Sequence, residues 1–171
     1  MADLIGPFPT HIIPIPGYWF GCDAEPAVGN GTSVANYSYI FHEAVPTGGN
    51  ISKIEIYVSN ESGGVLDFAV FNGPGGAGSY TDEHAILSLA ISNGLNQYES
   101  PGDFDSNDLP IDVDQYIGCF ITSSGIWTKI TSGGPGYLYD SGDQISGTPA
   151  SSSFSLSGNS THEFQIRVWI I

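Results

Sequence analysis

The chain has 171 residues, and its 18 acidic side chains face only three basic ones, which gives a formal net charge of -15 at pH 7. This length suits one domain with a sizeable core, and a hydrophobic content of 40% excludes a disordered protein. Nucleic acid and anionic membranes are bound through Lys and Arg, so the charge argues against both as partners.

Residues 1–17 are predicted to form an extended arm, because four prolines in this stretch prevent a helix and favour polyproline II or edge-strand conformation. Apolar side chains lie between the prolines, so we expect the arm to dock on its own domain or on a neighbouring subunit. The docking residues would be Leu4, Ile5, Phe8, Ile12, Ile13 and Ile15. The segment has no Lys or Arg and no unbroken apolar run, so we expect no signal peptide.

From Tyr18 onward, apolar and polar residues alternate with a period of two, which predicts half-buried β-strands. The alternation is clearest in four segments, 54–58, 66–70, 87–91 and 164–170. Further strands are predicted at 34–43, 115–122, 126–131, 136–139 and 152–157. Gly-, Pro-, Ser- and Asn-rich turns separate the segments, and no window of ten residues has a helical period.

This pattern predicts one all-β domain over residues 18–171, a single antiparallel β-sandwich with jelly-roll-like topology. The last strand runs through Val168-Trp169-Ile170-Ile171, and we expect it to lie inside a sheet. No stretch approaches the 18 apolar residues of a membrane-spanning helix.

The chain has two cysteines, Cys22 and Cys119. Cys119 lies in the alternating run 116–121 and is expected to behave as a small buried hydrophobic residue. A disulfide between the two is left open by the sequence, and two cysteines do not make a metal site.

The densest acidic cluster lies between residues 103 and 114. Positions one, three, five and twelve of a calcium-binding loop would be Asp103, Asp105, Asn107 and Asp114. However, Asp108 stands where such a loop requires glycine, Pro110 stiffens the segment, and no helices flank it. The favoured interpretation is a solvated loop without a cofactor, with a structural calcium ion as the alternative.

No constellation of residues indicates catalysis. The triplet Asp140-Ser141-Gly142 occurs once, whereas an aspartic protease needs two carboxylates that share a proton. Neither a nucleophile elbow nor a phosphate-binding glycine motif is present. The histidines are scattered, at His11, His42, His84 and His162. We therefore expect that the protein is not an enzyme.

Several Trp and Tyr residues are candidates for stacking on sugar rings or for anchoring a protein interface. They are Tyr18, Trp19, Trp127, Tyr137, Tyr139 and Trp169. The alternative is that most of them complete the core. Trp169 shares the face of Arg167, opposite the apolar residues of its strand, and is therefore expected on an outer face or in an intersubunit contact.

Three segments carry a family resemblance: 49–58, where a glycine precedes alternating aliphatic residues, 66–71, and 112–120, which contains Tyr116-Ile117-Gly118. This succession resembles the jelly-roll modules of bacteriophage virion surface proteins, such as decoration and fibre proteins, and of carbohydrate-binding domains. The resemblance covers the central half of the chain and concerns the strand pattern, so function needs separate evidence.

The resemblance and the charge together suggest a phage structural protein on the outer virion surface, a capsid decoration, cementing or fibre component assembled in the host cytoplasm. Its partners would be the viral capsid or neighbouring subunits, and we expect a homo-oligomer, with a homotrimer preferred. The alternative is a carbohydrate-binding module or lectin-like receptor-binding domain that contacts a host surface glycan.

Overall fold

The computed structural model describes residues 16–22, 36–41, 43–58, 64–73, 79–82, 87–121, 128–130, 137–142, 145, 151–153 and 162–171. These residues form an all-β structure in which two antiparallel sheets pack as a sandwich. The strands are β1 (Tyr18–Gly21), β2 (Tyr37–Phe41), β3 (Gly49–Val58), β4 (Gly64–Asn72), β5 (Ser79–Asp82), β6 (Leu87–Ile91), β7 (Gly94–Glu99), β8 (Pro110–Ile111), β9 (Tyr116–Ile121), β10 (Thr128–Ile130), β11 (Tyr137–Ser141), β12 (Ser151–Ser153), β13 (His162–Phe164) and β14 (Ile166–Ile170). A 3-10 turn spans Ser106–Asp108.

Sheet I has the order β1-β14-β3-β7, and the short strand β8 pairs with the start of β3. Sheet II has the order β11-β2-β9-β4-β5-β12, and β6 pairs with the first part of β4. A separate two-stranded ribbon joins β10 to β13. The jelly-roll topology stays a prediction, whereas the two-sheet antiparallel architecture is confirmed.

The main core lies between the two sheets. Sheet I contributes aliphatic residues of β3 and β14 that are fully or almost fully buried, such as Ile54, Ile56 and Val168. Sheet II contributes the buried side chains of β2, β4 and β9, including Phe68 and Ile117. The predicted alternation explains this arrangement, because one side of every half-buried strand points into the same layer.

The opposite side of sheet II carries a second apolar cluster, which the alternation did not predict. Its buried members are Ile40, Ala69, Phe71, Tyr116, Phe120 and Ile145. Strand β9 is consequently buried on both faces. Ala69 is also buried, although it alternates with the inward-facing residues of segment 66–70. Gly118 on β9 permits this close packing, since a Cβ atom there would lie 2.5 Å from Phe71 Cε2.

Several predicted boundaries were wrong. The expected C-terminal strand 164–170 is divided at Gln165, because β13 pairs with β10 while β14 pairs with β1 and β3. Of the expected strand 152–157, the structure describes β12 (Ser151–Ser153), and residues 154–157 lie outside the described residues. Strands β1, β5, β7 and β8 were not predicted.

Strand β7 was missed because one of its inward positions is polar. Asn96 is buried, and its side chain accepts a hydrogen bond from Ser92 N (2.9 Å) and donates to Ser92 O (2.8 Å) and Gly94 O (3.1 Å). Residues 92–93 connect β6 in sheet II to β7 in sheet I, so the segment is a crossing between sheets. Asn96 satisfies the backbone groups that this corner leaves unpaired.

The C-terminal strand lies inside a sheet, as predicted. Strand β14 is flanked by β1 on one side and β3 on the other. Beyond it, Ile171 exchanges two backbone hydrogen bonds with Asn50, at 2.9 and 3.0 Å.

The two cysteines do not form a disulfide. Cys119 is buried in the main core, as expected, and burial raises the pKa of its thiol. Cys22 directly follows β1, where its backbone N donates to Ile166 O at 3.0 Å.

The predicted arm falls almost entirely outside the described residues. Leu4, Ile5, Phe8, Ile12, Ile13 and Ile15 are not among them, so their docking stays a prediction. Of residues 1–17, Pro16 and Gly17 are described and lead into β1.

Candidate functional site

The outer face of sheet I is the surface on which aromatic and charged side chains come together. It consists of the side chains of β1, β14, β3 and β7 that point away from the core. One cross-strand row contains Trp19, Trp169, Lys53 and Glu99; the next contains Arg167, Glu55 and Gln97; the last pairs Tyr57 with Leu95. The sequence alternation places these residues on one side of their strands, and the strand register places them beside each other.

Arg167 and Glu55 form an ion pair at the centre of this face. Arg167 Nε donates to Glu55 Oε2 at 2.6 Å, and Gln97 Nε2 donates to Glu55 Oε1 at 2.7 Å, so a separate donor satisfies each carboxylate oxygen. The side chains of Arg167 and Glu55 are only 26% and 11% exposed. An ion pair this deep on an outer face is held rigidly, because each charge would be costly to leave without its partner.

The same guanidinium supports the exposed tryptophan. Arg167 Cζ lies 4.3 Å from the centroid of the Trp19 ring, within the range of a cation–π contact. The indole of Trp169 meets Trp19 edge-on, with ring centroids 5.3 Å apart. Trp19 is therefore fixed from two sides, yet 38% of its surface remains exposed.

The face carries no net charge, although the chain is strongly acidic. Besides the Arg167–Glu55 pair, Lys53 Nζ lies 2.7 Å from Glu99 Oε1. These four side chains are two cations and two carboxylates, so their charges cancel. The formal charge of -15 is therefore carried by the rest of the chain, which has only one further basic residue. Leu95, which is 49% exposed, adds an apolar group at one edge of the face.

The chain approaches the outer face closely just before β1. A Cβ atom on Gly17 would lie 2.5 Å from Trp169 Nε1 and 2.6 Å from Ile170 O, so only glycine fits this passage without displacing the indole. Gly17 therefore passes directly beside Trp169 as the chain enters β1.

The six predicted aromatic residues do not form one platform. Trp19 and Trp169 meet on the outer face of sheet I. Tyr18 packs against the main core, where its hydroxyl donates to Thr47 O and burial raises its pKa. Tyr139 also packs against the core, beside Tyr37 and Tyr39. Trp127 lies outside the described residues, and of Tyr137 the structure describes only the backbone pairing with Phe41 in sheet II.

The acidic loop is organised by its own hydrogen bonds. Asp103 Oδ2 accepts from Glu99 N at 2.9 Å, and Asp105 Oδ1 accepts from Asn107 N at 2.9 Å and from Asn107 Nδ2 at 2.8 Å. Asp114 lies in a later turn, with a φ of 67°. In the described segments, no three His, Cys, Asp or Glu side chains are grouped so that they could hold a metal ion. The calcium hypothesis therefore rests on the sequence alone.

The residues that the sequence analysis did not single out are the polar partners of the two tryptophans. Arg167, Glu55 and Gln97 lie on three different strands, at sequence separations of 42 and 112 residues. Their alternation with buried residues was a usable signal that they point outward. Which strands would be neighbours was not readable from the sequence, so their grouping could not be predicted.

Comparisons of the chain with protein-family models, with curated proteins and with solved structures found no match. In the described residues there is no helix long and apolar enough to span a membrane.

Proposed function

We propose that the protein works by docking on another protein through the outer face of sheet I, and that it does so as a structural component of an outer virion surface. The observation that carries the docking proposal is the combination of net neutrality, exposed Trp19 and Leu95, and side chains held in place before binding. Interfaces are enriched in Trp and Arg and depleted of unpaired charge at their centre, and this face has that composition.

Rigidity adds to the argument for docking. A side chain that is already fixed loses little conformational entropy when a partner covers it. Trp19 is held by Arg167 and Trp169, and Arg167 is held by Glu55, so the largest exposed aromatic group of the face is already ordered. The virion setting is supported by the acidity of the chain, which keeps it from nucleic acid, and by the resemblance of its strand pattern to phage surface modules.

The virion assignment can be tested on purified virions from the source of the chain. Antibodies raised against the purified protein should label the outside of intact particles in electron micrographs, and the chain should co-purify with them at a fixed stoichiometry. Failure to find the chain in purified virions would refute the assignment.

The docking face can be tested separately on particles stripped of the chain. Trp19→Ala and Leu95→Ala should each weaken rebinding. Val113→Ala should not, since Val113 is somewhat more exposed than Leu95 but lies in the turn that follows β8.

A carbohydrate-binding module is the second candidate. It is favoured by the neighbourhood of Trp19, where an exposed aromatic ring lies beside the hydrogen-bonding groups of Arg167, Glu55 and Gln97. If this function is correct, oligosaccharides should quench or shift the tryptophan fluorescence of the wild type, and a glycan array should give hits that are lost in Trp19→Ala. An array without hits would exclude it in favour of protein docking.

A further inference from the structure

We propose that Asn93-Gly94, in the crossing between β6 and β7, is a site of spontaneous covalent modification, at which Asn93 cyclises onto the backbone and then opens to aspartate or isoaspartate. The reaction requires no enzyme and no cofactor, and its co-reactant is water. The inference is independent of the proposed function, because it depends only on the geometry of this corner.

The first step is a nucleophilic attack within the chain. The deprotonated backbone nitrogen of Gly94 forms a bond to Asn93 Cγ, the C–N bond of the side-chain amide breaks, and its nitrogen takes up a proton and leaves as ammonia. Water then opens the five-membered succinimide ring at one of its two carbonyl groups, and no oxidation or reduction takes place. Glycine favours this attack, because it has no Cβ atom to hinder the approach to its nitrogen.

The chain contains three Asn-Gly pairs, which begin at Asn30, Asn72 and Asn93. The sequence ranks them equally, since glycine follows each asparagine. Asn30 lies outside the described residues, so the structure compares Asn72 with Asn93.

The side chain of Asn72 is held in place. Its Oδ1 accepts a hydrogen bond from Gln115 Nε2 at 2.9 Å, and Gln115 is buried, with its Oε1 accepting from Asp112 N at 2.7 Å. Asn72 also pairs with Thr81 of β5. Turning the amide of Asn72 toward the nitrogen of Gly73 would take this acceptor away from a buried donor, which is costly.

The side chain of Asn93 is exposed, and within the described part of the chain no hydrogen bond restrains it. Gly94 has a φ of 104°, and among the described residues no atom lies within 4 Å of the point that its Cβ would occupy, so the corner has room for the succinimide ring. Gly94 belongs to the last pair of the β3–β7 ladder, opposite Val58, and the end of a ladder on an edge strand opens at little cost in free energy. The reacting groups can therefore meet without disturbing the core.

The isoaspartate product adds one carbon atom to the backbone between Ser92 and Gly94. The side chain of Asn96 spans this segment, since it accepts from Ser92 N at 2.9 Å and donates to Ser92 O at 2.8 Å and to Gly94 O at 3.1 Å. A lengthened backbone cannot keep all three distances, so the modification weakens the crossing between the two sheets.

Incubation of the full chain at mildly alkaline pH, followed by peptic digestion at acidic pH and mass spectrometry, tests the proposal. In the folded protein, Asn93 should deamidate at least about tenfold faster than Asn72. In concentrated urea the two rates should be comparable, because glycine follows both residues. The proposal would be overturned if Asn72 reacted as fast as Asn93 in the folded protein, if Asn93 stayed intact there while the unfolded chain lost it, or if the ratio in urea equalled that of the folded protein.

The effect on the crossing is measured on the singly deamidated fraction of aged protein, isolated by anion exchange. Asn93→Asp is the matched control, since it adds the same charge but leaves the backbone at its normal length. The aged fraction, which contains isoaspartate, should unfold at a lower urea concentration than Asn93→Asp. Equal midpoints would overturn the proposed weakening of the corner.

Discussion

The guanidinium of Arg167 lies 4.3 Å from the centre of the Trp19 ring and at the same time donates through Nε to Glu55 at 2.6 Å. One side chain on the central strand β14 thus joins the exposed tryptophan of edge strand β1 to a nearly buried carboxylate on β3. The arrangement of the outer face of sheet I depends on this connection. The contribution of the Arg167–Glu55 pair to stability can be compared with that of the neighbouring Lys53–Glu99 pair.

Replacing Arg167 by Met should lower the free energy of unfolding by about 2–3 kcal/mol. The reason is that the substitution leaves the carboxylate of Glu55, whose side chain is only 11% exposed, without its cation. Lys53→Met is the matched control, since it removes one cation from a pair whose side chains are 42% and 61% exposed. It should cost less than about 1 kcal/mol. Urea denaturation of the two variants measures the difference, and equal losses would contradict the assigned role of Arg167.

Asn96→Ala should cost about 1–3 kcal/mol, because its side chain bonds Ser92 and Gly94 at the crossing between the sheets. Asn93, in the same crossing, is exposed, so Asn93→Ala should stay within about 0.5 kcal/mol of the wild type. Thermal and urea unfolding would compare the two. If Asn93→Ala proved the more damaging change, Asn96 would not be what holds the corner.

Gly118→Ala should destabilise the protein by at least about 1–3 kcal/mol, because the new methyl group would lie 2.5 Å from Phe71 Cε2 and 2.6 Å from Tyr39 O. Backbone atoms of a central strand cannot move away without breaking sheet pairing. Gly102→Ala is the control, since the nearest contact of its Cβ, Glu99 O, is at an ordinary 3.4 Å. We expect a change within about 0.5 kcal/mol there, and similar losses at both glycines would refute the tight packing of β9 against Phe71.

Alkaline pH should destabilise the fold in part through Cys119. Burial raises the pKa of this thiol in the folded state, so between the unfolded and folded pKa values the unfolded chain has lost a proton that the folded one keeps. The contribution of the buried, protonated Cys119 thiol to the free energy of unfolding is fully present below the unfolded pKa, near 9. It declines as the pH rises above that value. One proton corresponds to a slope of about 1.4 kcal/mol per pH unit.

Urea unfolding of wild type and Cys119→Ala from pH 8 upward isolates this slope. The wild type should lose stability more steeply above pH 9, while tyrosine ionisation affects both proteins alike. The pKa of Tyr98 is also raised, by burial and then by the Asp103 carboxylate, and so adds to the shared decline. Parallel curves for the two proteins would show that Cys119 does not titrate on unfolding.

Much of sheet I and sheet II was predictable because period-two alternation marks residues that share a face. Ile54, Ile56 and Val168 occupy apolar positions of the alternating segments 54–58 and 164–170, and they are buried. The prediction failed where burial has another cause. Ala69 is buried by a second apolar layer, and Asn96 is buried because its amide bonds the backbone at a corner, so neither follows the hydrophobic pattern.

The sequence by itself determined the all-β class, the inner side of the main strands, the burial of Cys119 and the outward direction of Trp169 and Arg167, since each depends on local alternation or composition. Tertiary structure alone decided that Trp19, Arg167, Glu55 and Gln97 lie together, because strand order and register bring distant segments into contact. It also decided that the two cations on this face are neutralised within it. The physical reason is that a side chain's direction is set by its own strand, whereas its neighbours are set by which strands pair.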